Sequence, residues 1–213
     1  MSGSNFRFVL VLLLPTLLGI NLRAQAPSPE SSSKSHGYTK SPGRVPDAGV
    51  LADNVYRNPS FGFSYKVPYG WVDRSPQMKE SEEAGKSMLL LAVFERPPEA
   101  TGDTVNSAVV ITAEKISQFS GLKNAADYFG PITELATAKG FKVISQPYDF
   151  PVSGHTLVRG DFAKERGRVT MQQTSLVTVE KGYAVSFAFI GGSEDEVNEL
   201  IDNLRFAPGK GAR

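Results

Sequence analysis

The chain has 213 residues, with 23 Lys and Arg against 22 Asp and Glu, and 40% of it is hydrophobic, including 13 Phe, 7 Tyr and 1 Trp. That is enough apolar material for one domain of about 150 residues to bury a sizeable core, and it excludes a chain disordered throughout. Balanced charge argues against a general nucleic-acid or acidic-membrane footprint, and the absence of cysteine excludes disulfides, thiolate metal ligands, a cysteine nucleophile and a lipid-modified cysteine.

Phe8 to Ile20 is an uncharged apolar run preceded by Arg7 and followed by the polar, small-residue stretch Asn21 to Ala26. This is the order of a secretory signal peptide, and we assign residues 1–24 to one, with cleavage after Ala24 or, in the A-x-A frame, after Ala26. A membrane-spanning helix needs about 20 apolar residues, and this run is shorter and contains Pro15, so an uncleaved anchor is the weaker reading. More than half of residues 27–49 are Pro, Ser or Gly, without hydrophobic periodicity, so residues 25–52 read as a disordered linker. His36 within it reads as a solvated side chain.

The ordered domain is expected over residues 53–207. Tyr56, Phe61, Phe63 and Tyr65 place aromatics with the period of a half-buried strand, and Pro68-Tyr69-Gly70 turns the chain ahead of Trp71. Met88 to Phe94 is apolar on both faces, as in a strand buried inside a sheet, and Asn106 to Lys115 is a further strand. The stripe Leu122, Ala125, Phe129, Ile132 and Ala136 predicts an amphipathic helix, kinked or divided at Gly130-Pro131 and ended by Lys139-Gly140. Phe141–Ser145, Gly154–Lys164, Arg168–Val179 and Tyr183–Ile190 then read as strands joined by short hairpins. In the last, Tyr183, Val185, Phe187 and Phe189 share one face and Ala184, Ser186 and Ala188 the other. Ser193 and Glu196 form a capping box for a closing helix whose stripe is Val197, Leu200, Ile201 and Leu204. Residues 208–213 read as a frayed tail.

Two stretches resemble the PsbP-like family. Tyr56, Asn58, the run Phe61 to Tyr65 and then Pro68, Gly70 and Trp71 resemble its opening strand and turn. Gly182 to Phe187 with Phe189, leading into an acidic-capped helix and Leu204 with Phe206, resemble its closing strand and helix. The resemblance covers residues 54–207 and implies an α+β fold, a three-layer α/β/α sandwich around a roughly six-stranded, mainly antiparallel sheet. The family's known members are mainly non-catalytic: an extrinsic subunit on the lumenal side of photosystem II, a eukaryotic protein that binds the GTPase Ran, and exported bacterial proteins of unassigned function. The resemblance therefore supplies no catalytic residues.

Residue by residue, several groups invite a site. Ser153, His155 and Asp161 hold the residue types of a hydrolase, but no G-x-S-x-G elbow or oxyanion donor accompanies them, so Ser153 reads as a turn residue and His155 as a strand residue. Gly191-Gly192-Ser193 before a helix has the form of an anion cradle, yet Glu194, Asp195 and Glu196 already bring negative charge there. Asp73, Glu80, Glu82 and Glu83 lack the spacing of a calcium loop. Trp71 reads as a core anchor rather than a stacking platform. The expected contact surface is the loop Glu95 to Val105, through Arg96, Pro97, Pro98, Thr101, Gly102 and Asp103. We thus expect an exported, non-enzymatic domain of the bacterial periplasm or exterior, without cofactor or metal. It would bind another envelope or extracellular protein, and would engage neither nucleic acid nor, once its signal is cleaved, the membrane. The alternative is a small-molecule or lipid carrier with an apolar pocket between sheet and helices.

Overall fold

The alternation of bulky and small residues from Tyr183 to Ile190 becomes the central strand of the structure, a computed structural model that describes residues 46–79, 87–100 and 102–207. The expected signal peptide, residues 25–45 of the expected linker, Glu80, Glu82, Glu83, Thr101 and the tail 208–213 lie outside the described residues. In chain order the elements are β1 (Val50–Ala52), β2 (Val55–Asn58), β3 (Phe63–Lys66), β4 (Val72–Asp73), α1 (Ser75–Lys79), β5 (Ser87–Phe94), β6 (Ala108–Lys115), α2 (Phe129–Ala138), β7 (Lys142–Val143), β8 (Tyr148–Val152), β9 (His155–Arg166), β10 (Val169–Glu180), β11 (Tyr183–Gly191), α3 (Glu194–Ile201) and β12 (Leu204–Phe206). A short 3-10 turn, Ile116–Gln118, follows β6.

All pairings are antiparallel, and they form two sheets rather than the expected single sheet of about six strands. The large one has eight strands in the order β4-β5-β6-β11-β10-β9-β7, with β8 also paired to β9. The small one runs β1-β2-β3-β12. Val185, Phe187 and Phe189 of β11 face the small sheet and α3, sharing a core with Tyr56, Phe63, Tyr65, Val197, Leu200 and Phe206. On the opposite face Ala188 and Ile190 pack with Met78 of α1 and Phe94, and Ala184 packs with Tyr128, Phe129 and Ile132 at α2. The expected α/β/α sandwich is thus replaced by two sheets, with α1 and α2 on one face of the large sheet and the small sheet with α3 on the other.

Three differences from the sequence reading have local causes. The closing helix ends at Ile201, and Leu204 belongs to β12, paired with Tyr65 of β3. Leu204 and Phe206 are both buried with exposed Arg205 between them, an alternation of period two that suits a strand as well as a helix end. Residues 122–128 are turns, not the first half of a helix. Asp127 accepts the backbone N–H groups of Lys123 and Asn124 at 2.8 and 3.1 Å, and Asn124 accepts that of Asp127 at 3.1 Å. These side chains offer the backbone local partners in place of helical ones, and those two N–H groups hold the Asp127 carboxyl below its ordinary range. Pro131 then falls in the first turn of α2, where its missing N–H costs least.

The ordered domain also begins before Asp53. β1 pairs residue for residue with β2, and the chain ahead of it is clasped. Tyr56 donates its hydroxyl to the Ala48 carbonyl, the Asn58 amide donates to the Asp47 carbonyl at 3.2 Å and to Tyr56 at 3.0 Å, and the Asp47 N–H reaches Ser60 at 2.8 Å. Burial pushes the Tyr56 hydroxyl up to about 12, so it stays a donor across the physiological range. Gly49 has φ +76°, and a Cβ there would lie 2.5 Å from the Tyr56 hydroxyl. The closest approach on the other face is at Gly160, where a Cβ would lie 2.5 Å from the Phe129 ring. Gly160→Ala should therefore destabilise the fold by about 1–3 kcal/mol, with part of the loss recovered in a Phe129→Leu background. Denaturant unfolding of the four-member cycle measures this, and equal losses in both backgrounds would show that Phe129 is not the obstacle.

Candidate functional site

The loop between β5 and β6 begins where two strands of the large sheet part, and its shape is set by two side chains. Asn106 clamps the loop's entrance, accepting the Arg96 N–H at 2.9 Å and donating to the Arg96 carbonyl at 3.0 Å, in the manner of a backbone bridge. The Arg96 guanidinium turns inward and donates to the Val105 carbonyl at 3.0 Å and the Thr104 carbonyl at 3.4 Å. It lies against Gly102, where a Cβ would meet Arg96 Nη1 at 2.9 Å. The Ala100 N–H closes a turn on the Pro97 carbonyl at 2.8 Å. Outside the loop, Arg74, one residue before α1, meets Glu99 at 2.7 Å.

Of the six residues expected to contact a partner, Pro97, Gly102 and Asp103 are exposed and Pro98 is half-buried. Arg96 works as an internal strut, and Thr101 lies outside the described residues. Sequence reasoning missed Asn106, Arg74 and Glu99. Asn106 was read as the first residue of a strand, and its side chain gives no periodic signal.

The same end of the large sheet carries the glycine turn before α3. The Gly192 N–H donates to Glu196 at 2.8 Å, the Glu196 N–H donates to Ser193 at 3.1 Å, and Ser107 donates its hydroxyl to the other Glu196 oxygen. The carboxylate of Glu196 thus occupies the position a bound anion would take at this helix N-terminus. In the predicted capping box Glu196 would bond the N–H of Ser193; it reaches one residue further back instead.

The hydrolase-like set is dispersed. Ser153 and Gly154, with φ of 49° and 81°, are the turn between β8 and β9. His155 stacks on Phe206 with 4.7 Å between ring centroids. Asp161 stands six residues further along β9, about 20 Å away at the rise of a strand. Its carboxylate accepts from Arg159 Nε at 2.9 Å, Thr174 Oγ1 at 2.6 Å and Ser145 Oγ at 2.9 Å. Arg159, 6% exposed at its side chain, also donates to Asn198 of α3 at 3.0 Å and lies over the Phe150 ring at 4.9 Å. Asp73 accepts the Ser75 N–H at 2.8 Å at the start of α1, and Trp71 is half-buried against the main core. Among the described residues no group of three or more metal-ligating side chains is placed to hold an ion, and no helix is long and apolar enough to cross a membrane.

No family model matches the sequence, and no curated protein matches it. Several solved structures align with it. A cyanobacterial PsbP from Synechocystis aligns over 80% of this chain and 100% of its own, at 17% identity and TM-score 0.48. A Pseudomonas aeruginosa protein of unknown function, described as a putative regulator, aligns over 73% of this chain and 97% of its own, at 16% identity and TM-score 0.37. LpqN of Mycobacterium tuberculosis, described as involved in cell envelope biogenesis, aligns over 68% of this chain and 83% of its own, at 12% identity and TM-score 0.37.

The Asp161 cluster is open to a direct test. Burial raises the carboxyl's affinity for a proton, but the hydrogen bonds from Thr174, Arg159 and Ser145 outweigh it and hold the group below its ordinary 3.8. A carboxyl depressed in the folded state adds stability that is fully present above its unfolded value and is lost as pH falls through the folded one. Asp161→Asn should cost about 1–3 kcal/mol near pH 7 and lose less stability than the wild type on acidification to about pH 3. Urea unfolding at both pH values measures it; identical acid sensitivity in the two proteins would refute the assignment.

Proposed function

We propose that this chain is an exported, non-catalytic domain of the PsbP-like kind that binds another protein at the cell envelope through the β5–β6 loop. The observation that carries this reading is the loop's internal bracing. Asn106 and Arg96 fix its two ends while Pro97, Glu99, Ala100, Gly102 and Asp103 remain exposed. A loop held in one shape loses less conformational entropy on binding. Export rests on Arg7 and the apolar run Phe8 to Ile20, and release without a lipid anchor rests on the absence of cysteine. The non-catalytic assignment is supported by the dispersal of Ser153, His155 and Asp161, each held by a partner or turn of its own.

Affinity capture from envelope extract, comparing the wild type with a variant in which residues 97–100 are replaced by Gly and Ser, tests the loop. Loss of a partner is expected, and an unchanged partner profile would refute the loop's role. Arg96→Ala separates bracing from contact: it should weaken capture of that partner about tenfold, while global unfolding shifts by no more than about 1 kcal/mol.

A further inference from the structure

The chain leaves β6 through the 3-10 turn Ile116–Gln118 and reaches the start of α2 by way of residues 119–128. The Phe119 N–H closes on the Ile116 carbonyl at 3.0 Å, and the Phe119 ring stands edge-on to Tyr128 with 5.5 Å between centroids. Phe119 and Leu122 both pack against the apolar cluster beneath α2. The loop is thereby pinned beside the helix, and a groove of 410 Å³ opens between the two. Small-ligand sites run from about 300 to 1,000 Å³, so a small molecule has room here.

The groove has apolar sides and an anionic rim. Phe119 and Leu122 line it from the loop and Pro131 from the helix, while Gly121 and Gly130 present backbone, and a Cβ at either would meet no atom within 4 Å. Asp127 lies one turn before Gly130, whose N–H bonds the Asp127 carbonyl at 3.3 Å, and Glu134 lies one turn after it. Both carboxylates line the groove, both are exposed, and no lining residue is basic. Among the described residues neither forms an ion pair. Lys123 acts on Asp127 but is not part of the lining.

We infer that this groove binds a linear aliphatic diamine, with one ammonium at Asp127, the other at Glu134, and the methylene chain lying over Pro131 between Phe119 and Leu122. The arrangement of the lining sets the class. Two turns of helix place the Cα atoms of Asp127 and Glu134 roughly 10 Å apart. A chain of about four or five methylenes spans the carboxylates once each ammonium gives a charge-assisted hydrogen bond of about 2.8 Å. A hard metal ion takes about six or more oxygen ligands, and two carboxylates fall short of that. The N-terminus of α2 would favour an anion, but Asp127 already places one there, and the backbone N–H groups of Lys123 and Asn124 hold it ionised. The groove lies on the α2 face, and the inference does not depend on the role of the β5–β6 loop.

The test is titration of the full chain with cadaverine, and with pentylamine as a probe of equal chain length and one charge, followed by amide chemical shifts. Cadaverine should give saturable shifts centred on residues 119–122 and 130–134, and pentylamine should bind about fivefold more weakly. Glu134→Gln should bring the cadaverine affinity down by about the same factor, to the level of pentylamine. Glu134 is exposed and its side chain holds no part of the fold, so that variant carries the comparison even if Asp127→Asn loosens the turns at residues 122–128. Equal affinity for the two amines, an unchanged affinity in Glu134→Gln, or shifts that are absent or stay linear and spread over other acidic surfaces would each overturn the inference.

Discussion

The structure depends on the two-sidedness of β11. Phe187 and Phe189 are completely buried on one side, and Ala184, Ser186 and Ala188 leave the other side nearly flat. Fully burying a phenylalanine contributes about 1.5–3 kcal/mol, so the bulky side demands a complete cover. The small sheet and α3 supply it, with Phe63 edge-on to Phe187 at 4.9 Å and Tyr65 against Phe189 at 6.2 Å. The flat side permits the opposite arrangement, in which side chains come down from above onto the backbone. Phe129 does so at Gly160, and α2 is placed by that contact more than by its own length. β5 obeys the same two faces with one irregularity: a bulge at Leu90 turns Leu90 and Leu91 together toward the small sheet.

What was legible in the sequence follows from this. Period-two alternation over nine or more residues fixes a strand and its faces, so β9, β10 and β11 were readable to within about two residues. So were the two hairpins that join them, because Gly167 and Lys181-Gly182 are placed for positive φ; β8 and its turn at Ser153-Gly154 were not, since the strand expected there was Phe141–Ser145. The short elements were not. β12 carries only three residues, and Leu204 continues the helical stripe as well as it begins a strand. The stripe from Leu122 to Ala136 had helical spacing, but Asn124 and Asp127 could cap the backbone locally, and spacing alone does not register that competition. The division into two sheets was hidden for another reason. It depends on which strands fail to pair, and alternation reports faces rather than neighbours.

The site residues show a common pattern. Each constellation with the composition of an active centre is consumed by a structural partner: Glu196 by Gly192 and Ser107, Asp161 by Arg159 and Thr174, Asp73 by the start of α1. The Arg159 pair is the costliest of these, since two charges leave water to form it. Its hydrogen bonds reach three elements, β9, β10 and α3, so its geometry holds that side of the small-sheet face in register.

The clasp around residues 47–49 has a mechanical consequence. The chain enters the fold at a point where Tyr56 and Asn58, both fully buried, grip the backbone of Asp47 and Ala48, and where Lys181 from the β10–β11 turn donates to the Ser60 carbonyl at 2.5 Å. Tension applied from the N-terminal side would therefore be taken up by side chains rooted in the core before it reached the edge strand β1. A three-residue strand on its own would peel one bond at a time. Anchored in this way, the domain can hang from whatever precedes residue 46 without its outer sheet being unzipped.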